Sequence, residues 1–307
     1  MTKVFEHDPA QEDVIRQFSD PAQSAGLNGS GTGVGKTIIA VKSALNRGAQ
    51  RVLIIAPPNT FDNWEATLLS LSGKQLRPCA NSKVGDHSAA TAKANMAAAQ
   101  AGESGWFFVG REMFNLQNWA EVHNRDGSPK RTDKGKKVVR RTDIWGKKRP
   151  FDFTVFDEVQ LCSDSKARTR QSWAHLQVTE SYISDGKRYK GFRLAQSADF
   201  FGSRLENIYT VTEDLWPGHS GMNRTEWIDE YFETEYDHYS FGHKKIKGEK
   251  WEGFYVSTLP NYVALPSPVD KPIPDFRYVD MTPAQTRLYE QLQSDMAAEI
   301  EGNTLIV

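Results

Sequence analysis

Hydrophobic residues along the chain fall into two recurring patterns. Short, continuously apolar runs are typical of strands buried on both faces of a parallel sheet, and they occur at 51–56, 106–109 and 151–156. Apolar residues three or four positions apart predict amphipathic helices at 12–18, 36–47 and 61–71, and an Ala-rich stretch predicts another at 88–101. This alternation of strands and helices predicts an α/β fold with a mostly parallel central sheet flanked by helices.

A glycine-rich loop precedes the helix predicted at 36–47. It consists of Ser30, Gly31, Thr32, Gly33, Val34, Gly35, Lys36 and Thr37. Glycines let backbone amides approach a phosphate closely, and the N-terminus of the following helix attracts the anion. Lys36 would then reach the β- and γ-phosphates of a nucleotide, and Thr37 would offer its hydroxyl to Mg²⁺. Because the general pattern has glycine where this chain has Ser30, a flexible loop that only resembles a phosphate-binding loop is the alternative.

Two carboxylates follow the third apolar run. Asp157 and Glu158 come directly after Phe156, so they are expected at the carboxyl edge of the sheet, where the glycine-rich loop also lies. Asp157 would hold Mg²⁺ through water, and Glu158 would polarise the attacking water. An ordinary turn is the alternative, but the loop upstream favours the catalytic interpretation.

A strongly basic segment interrupts the alternation at 125–149, within a predicted insertion at about 121–150. Its basic residues include Lys130, Arg131, Lys134, Lys136, Lys137, Arg140, Arg141, Lys147, Lys148 and Arg149, and they outnumber the acids Asp126, Asp133 and Asp143. A hairpin fits this composition. The segment is either a solvated loop or a contact to the phosphates of a nucleic acid, and both interpretations stay open here.

Composition adds bounds on location and redox state. The chain has 307 residues, 25% of them charged, and a formal net charge of -1, which is typical of a soluble globular protein. No apolar run reaches membrane-spanning length and the N-terminus lacks the apolar core of a signal peptide, so we expect a cytoplasmic, nucleoid or nuclear protein that is not secreted and has no membrane partner. Cys79 and Cys162 lack metal-ligand spacing and are expected to be buried free thiols.

Together these segments resemble the first RecA-like lobe of superfamily-two helicases, and more closely that of the Swi/Snf-type translocases of double-stranded DNA. Residues 30–37 resemble motif I, in which this family has a small residue at the position of Ser30. The run 52–58, followed by Asn63 and Trp64, resembles motif Ia. Residues 157–160 are similar to the DEAH-type box.

The resemblance implies roles for individual residues, with ATP and Mg²⁺ as cofactors. Gln11 falls where the family keeps an adenine-reading glutamine, and the nucleotide would be bound by Gln11, Gly31, Thr32, Gly33, Val34, Gly35, Lys36 and Thr37. Catalysis would depend on Lys36, Asp157 and Glu158, and the metal on Thr37 and Asp157. The phosphate backbone of DNA would contact Pro57, Pro58, Asn59, Thr60, Arg111, Lys136, Lys137, Arg140 and Arg141.

Motif III, which couples ATP to movement in the family, departs most from the family pattern. Coupling residues would be Gln160, Ser197, Ala198 and Asp199, but Asp199 stands where the family has threonine and Phe200 where it has proline. The motif is therefore altered at two of its positions. Aromatic residues between Trp227 and Trp251 are unevenly spaced, which favours packing against the lobe over a base-stacking platform.

The predicted domain order is a RecA-like lobe at 1–260, a proline-rich connector at 261–280 and a helix at 281–307 that would begin a second lobe. We expect that second lobe elsewhere in a longer protein or on another chain, and little turnover without its arginine finger. The alternatives are the lobe of an RNA helicase, the motor part of a restriction system, or a stand-alone regulatory module that binds nucleotide or DNA.

Overall fold

A computed structural model describes residues 8–142, 144–162, 168–198, 207–236, 244–251 and 254–268 of the chain. By its internal contacts the chain divides into two units, Met1–Val269 and Asp270–Val307, and every described residue belongs to the first. The helix predicted at 281–307 lies outside the described residues.

Strands and helices alternate along the described chain. The strands are β1 (Ala25–Asn28), β2 (Arg51–Ala56), β3 (Leu76–Cys79), β4 (Gly105–Gly110), β5 (Trp119–Glu121), β6 (Val139–Arg141), β7 (Phe153–Asp157), β8 (Ser181–Ser184), β9 (Lys187–Lys190), β10 (Phe192–Gln196), β11 (Phe232–Tyr236), β12 (Lys244–Glu249) and β13 (Tyr262–Val263). The helices are α1 (Pro9–Ser19), α2 (Lys36–Asn46), α3 (Phe61–Ser72), α4 (Ala89–Ala101), α5 (Arg111–Gln117), α6 (Arg168–Ala174), α7 (Asn207–Leu215), α8 (Arg224–Tyr231) and α9 (Phe254–Ser257). Within the described ranges, no helix is long and apolar enough to cross a membrane.

Seven parallel strands form the central sheet, in the order β13-β1-β10-β7-β2-β4-β3. The predicted α/β fold with a mostly parallel sheet is therefore confirmed. Four of these strands, β1, β3, β10 and β13, do not appear in the apolar pattern of the sequence. Because all seven strands are parallel, their carboxyl ends lie at the same edge of the sheet, and the connecting segments return the chain to the opposite edge.

Helices cover both faces of the sheet, and alternate residues of each strand enter different cores. Val52 and Ile54 pack with apolar residues of α1, α2 and α3, whereas Leu53 and Ile55 belong to the core that contains residues of α4 to α8. Continuous apolar runs result because both faces are buried. Cys79 is a buried free thiol as predicted, and burial raises its pKa to about 12.

Three arginines hold the amino edge of the sheet together. Arg47 and Arg51 are fully buried and Arg193 is half-buried. Their guanidinium groups donate to backbone carbonyl oxygens. Arg47 donates at 2.6–3.1 Å to those of Phe18, Asp20, Gln23 and Lys190. Arg51 donates to those of Ala99, Glu103 and Arg149, and Arg193 to those of Ala174, Leu176 and Asp214. The Asp152 carboxylate also accepts from the backbone N–H groups of Gln50 and Arg51, both at 2.9 Å. At this edge the hydrogen bonds of buried charged side chains therefore connect the ends of helices and strands.

The basic insertion is a forked β-structure, which we call the basic fork (residues 119–142). β5 and β6 pair as an antiparallel stem, and the stem branches where Val122, Lys130 and Val138 share three backbone hydrogen bonds of 2.7–2.9 Å. Two tight turns end the prongs, and each contains a glycine at positive φ, Gly127 in one and Gly135 in the other. The predicted hairpin is thus a stem with two prongs.

Aromatic residues near the end of the described chain pack around one buried indole. Trp227 is fully buried, and its ring lies 4.7–5.7 Å from those of Tyr209, Tyr231, Phe232 and Tyr255. These rings belong to the main core. The predicted packing is therefore confirmed for Trp227, Tyr231 and Phe232, whereas Trp251 is 52% exposed and Tyr239 and Phe241 lie outside the described residues.

Candidate functional site

The glycine-rich loop connects β1 to α2 at the carboxyl edge of the sheet. Gly33 and Gly35 have φ values of 82° and 76°, in the left-handed region that only glycine adopts without strain. α2 begins at Lys36, so its first N–H groups face the space above the loop. The Lys36 ammonium donates to the carbonyl oxygens of Ser30 and Gly31 at 3.0 and 2.9 Å.

The short edge strand β13 and the residues after it hold the outside of this loop. The N–H of Leu265 donates to the hydroxyl oxygen of Ser30 at 3.0 Å, and the N–H of Gly31 donates to the carbonyl of Leu265 at 2.9 Å. Ser267 donates its hydroxyl to the carbonyl of Thr32 at 2.8 Å. A Cβ on Gly31 would lie 2.8 Å from the Ser267 nitrogen, so only glycine fits there. The serine that departs from the general loop pattern therefore anchors this segment, which lies within the predicted connector at 261–280.

Gln11 lies against the same loop. α1 is capped by the Asp8 side chain, and its residue Gln11 donates from Nε2 to the carbonyl of Val34 at 3.0 Å. A Cβ on Gly35 would stand 3.2 Å from that amide nitrogen. The loop therefore packs tightly against the residue that was predicted to read adenine, and adenine recognition itself stays a prediction.

β7 ends at Asp157, two strands away from β1 in the sheet, and Glu158 follows directly. Glu158 has a φ of 56°, which is uncommon for a residue with a side chain and indicates local strain. Its carboxylate accepts from Gln160 Nε2 at 2.6 Å, and its N–H donates to Asp157 Oδ1 at 3.2 Å. Gln160, a predicted coupling residue, thus fixes the orientation of the predicted catalytic carboxylate.

The Asp157 carboxylate is held by two side chains from other elements. Gln196 Nε2 at the end of β10 donates to Oδ1 at 2.9 Å, and Trp64 Nε1 of α3 lies 3.4 Å from Oδ2. Burial raises the pKa of Asp157, and the nearby Glu158 charge adds to the rise, while these hydrogen bonds and Lys36 oppose it. Burial lowers the pKa of Lys36, against the attraction of both carboxylates. The three charged groups therefore share one electrostatic environment.

The donor set at this edge fits Mg²⁺ bound together with a nucleotide. Thr37 stands at the start of α2, where its hydroxyl oxygen lies 3.4 Å from Asn63 Nδ2. Among the residues that the structure describes, no group of three or more His, Cys, Asp or Glu could hold a metal ion by itself. One hydroxyl and one carboxylate suit Mg²⁺, which keeps several waters and takes phosphate oxygens as its remaining ligands.

Predicted nucleic-acid residues fall into two places. Pro57, Pro58 and Arg111 line, with Glu112 and Asp157, a cavity of about 140 Å³. Asn59 and Thr60 lie in a 3₁₀ turn (Pro58–Thr60), where the Thr60 hydroxyl donates to the Pro57 carbonyl at 2.7 Å. Because the Thr60 hydroxyl is used in this turn, it does not cap α3, which begins without a side-chain cap. The other predicted contacts, Lys136, Lys137, Arg140 and Arg141, are exposed on the basic fork.

Motif III lies beside the loop strand. Ser197 is buried, and its N–H donates to the Asn28 carbonyl at 3.1 Å, whereas Ala198 is exposed. Asp199 lies outside the described residues.

Sequence reasoning missed Gln196, Asn28 and Trp64 as members of this site. Asn28 and Gln196 are the last residues of β1 and β10, and both are buried. A polar residue at the end of a strand that borders a phosphate-binding loop was the available signal. Trp64 was recognised only as part of the stretch that resembles motif Ia.

Comparisons with known proteins identify a structural neighbour. No family model and no curated protein matches the sequence. Among solved structures, the SWI2/SNF2 ATPase core of Sulfolobus solfataricus in complex with dsDNA resembles this chain with a TM-score of 0.51 and 14% sequence identity. The match covers 97% of this chain and 54% of that one, so this chain spans about half of its neighbour. At this identity the likeness shows a shared fold.

Proposed function

We propose that this chain is the ATP-binding lobe of a DNA translocase or helicase of the Swi/Snf kind. It would bind ATP with Mg²⁺ at residues 30–37 and contact the phosphate backbone of DNA. The observation that supports this most is the meeting of two independent motifs at one sheet edge: the glycine loop after β1 and the carboxylates after β7. Asp157 and Glu158 attract the Lys36 ammonium, which opposes the lowering of the Lys36 pKa by burial.

Each side chain would contribute a distinct step. Lys36 would exchange its two loop carbonyls for phosphate oxygens, because an ammonium gains more from an anion than from neutral acceptors. Asp157 and Thr37 would hold Mg²⁺, which neutralises charge on the phosphates. Glu158 would accept a hydrogen bond from the attacking water and polarise it. Gln160 would orient the Glu158 carboxylate.

Phosphate-backbone contact would come from the basic fork and from the cavity beside Asp157. The fork contains eight Lys or Arg and three Asp or Glu, and its tips project as exposed turns. Arg111 shares a cavity with the proposed metal carboxylate. Nucleic acid bound at Arg111 would therefore lie near the hydrolysis site, which is what coupling requires. We expect full ATPase and motor activity to need a second RecA-like lobe.

Nucleotide binding is tested by Lys36→Ala, measured by calorimetric titration of ATP with Mg²⁺. We expect wild type to bind and the variant to lose binding while its circular dichroism and unfolding curve stay native. The matched control is Lys42→Ala, which removes a lysine of the same helix that pairs with Glu12 at 2.9 Å. Retained micromolar affinity in Lys36→Ala would reject the assignment of the loop.

Nucleic-acid binding is tested by reversing charge on the fork with Lys136→Glu and Lys137→Glu together. The logarithmic salt dependence of DNA affinity should become shallower by about 2, because each lost phosphate contact removes about 0.9. The control reverses Lys187 and Arg188, an equally exposed basic pair on the β8–β9 hairpin. An unchanged slope in the fork variant would exclude the fork as a contact. Duplex DNA, single-stranded DNA and RNA used in parallel would separate the translocase from an RNA helicase.

A further inference from the structure

Three polar residues form a row across the ends of adjacent strands. Asn28 of β1 is the register partner of Gln196 of β10, which in turn is the register partner of Asp157 of β7. Residues in register on parallel strands point to the same face of the sheet. The row therefore runs from the root of the glycine loop to the carboxylate proposed to hold Mg²⁺.

Hydrogen bonds fix both ends of this row. Asn28 Oδ1 accepts from the N–H of Ser30, in the loop, at 3.1 Å, and its backbone carbonyl accepts from Ser197. At the other end Gln196 Nε2 donates to Asp157 Oδ1 at 2.9 Å. Gln196 thus orients the carboxylate from the strand that lies between the two motifs.

At the centre of the row, one buried acceptor and one buried donor lack a hydrogen-bond partner among the described residues. Asn28 is 0% and Gln196 1% exposed, yet Gln196 Oε1 and Asn28 Nδ2 have no hydrogen-bond partner among the described residues. Leaving such groups unpaired inside a sheet costs free energy that an aliphatic side chain would avoid. The other inward positions of β10 are apolar, as Leu194 and Ala195 show. A purely structural requirement does not account for glutamine here.

We propose that Gln196 is a positioning residue that holds the Asp157 carboxylate for the metal from the strand next to the root of the phosphate-binding loop. It touches the metal ligand and not the reacting atoms. The inference rests on the proposed function, since it concerns the same nucleotide and metal. Residues of this kind that orient a metal ligand change metal affinity by about 10- to 100-fold when they are replaced.

The test measures Mn²⁺ affinity by electron paramagnetic resonance, with Mn²⁺ in place of Mg²⁺ and the non-hydrolysable β,γ-imido analogue of ATP. Gln196→Met and Gln196→Leu both remove the amide but differ in side-chain shape. If one variant does not fold, the other still allows the measurement. We expect Mn²⁺ affinity to fall about tenfold or more, while the affinity for the analogue without metal stays within about twofold of wild type. A structural defect would instead lower both affinities together.

Thr154→Val is the matched control, because Thr154 is another buried side chain of the sheet whose hydroxyl is unpartnered among the described residues. It should leave Mn²⁺ affinity unchanged. A fall of less than about twofold in both Gln196 variants, or a parallel loss of metal-free binding, would overturn the positioning role. If wild type itself binds neither the analogue nor Mn²⁺ with it, the proposed function fails, and that result is distinct from failure at Gln196 alone.

Discussion

The two edges of the central sheet use charge in opposite ways. At the amino edge, Arg47 and Arg51 are buried and donate to backbone carbonyls that close the ends of helices and loops. At the carboxyl edge, Lys36 and Asp157 have pKa values moved toward their neutral forms by burial, and Glu158 has a strained backbone. Burial lowers the pKa of Arg47 and Arg51 as well, that of Arg51 to about 10, but backbone carbonyls of the fold hold both guanidinium groups, whereas Lys36 and Asp157 lie where a ligand would bind.

This contrast indicates where the sheet has been shaped for binding. Polar groups that are costly to bury concentrate at functional sites, because a ligand supplies interactions that the fold does not. Substitutions at the amino edge should therefore damage stability, whereas some at the carboxyl edge should leave stability intact or raise it. Measurements of stability and binding on the same variants test this distinction.

The largest effect is expected from Arg51→Met. Removing the guanidinium leaves the carbonyls of Glu103 and Arg149 without this donor and the carbonyl of Ala99 with only the Gly102 N–H, so we expect a loss of about 3 kcal/mol in unfolding free energy. Chemical denaturation measures it. Arg16→Met, at a side chain that is 78% exposed, should change stability by less than about 0.5 kcal/mol. Equal small effects at both positions would remove the special status of the amino edge.

A smaller effect is expected from Gly35→Ala at the carboxyl edge. Alanine at a φ of +76° is strained, and its Cβ would press on Gln11 at 3.2 Å, so we expect a loss of about 2 kcal/mol and weaker nucleotide binding. Gly73→Ala, at a φ of +67° with nothing within 4 Å, isolates the backbone strain at about 1 kcal/mol. Thermal unfolding of both variants gives the difference, and identical losses would mean that Gln11 does not press on the loop.

The smallest of the stability effects concerns Ser30. Ser30→Gly restores the general loop pattern but removes the acceptor of the Leu265 N–H, so we expect a loss of about 1 kcal/mol. Ser82→Gly, at an exposed serine in a bend, is the control and should cost less. If Ser30→Gly is as stable as wild type, the contact with the segment after β13 does not hold the loop.

Much of the fold could be predicted from the pattern of apolar residues, because strands buried on both faces and amphipathic helices leave direct traces. That pattern located β2, β4 and β7 and the helices α1 to α4. It missed β1, which contains Gly26 and Asn28, and β3, which contains Pro78 at the sheet edge. These segments are strands because neighbouring strands and helices bury them, and local propensity does not record that.

The site shows the same limit. Lys36, Thr37, Asp157 and Glu158 were predictable because loop chemistry and strand position are local properties. Gln196 was not, since its contact with Asp157 depends on the register of two strands 39 positions apart. Ser30 seemed a departure from a pattern until its partner Leu265, 235 positions away, supplied the reason.

The most direct test of the contrast between the edges is the thermal unfolding of Asp157→Asn, with and without ATP and Mg²⁺ at neutral pH. Because burial raises the pKa of Asp157 above its ordinary value of 3.8, keeping this carboxyl ionised costs folding free energy at neutral pH, and the cost disappears as the pH falls below that value. We predict a variant with a higher unfolding midpoint than wild type without ligand, and without the further rise that ATP and Mg²⁺ give to wild type. A variant that is less stable than wild type without ligand, or one that ATP and Mg²⁺ stabilise equally, would contradict the account.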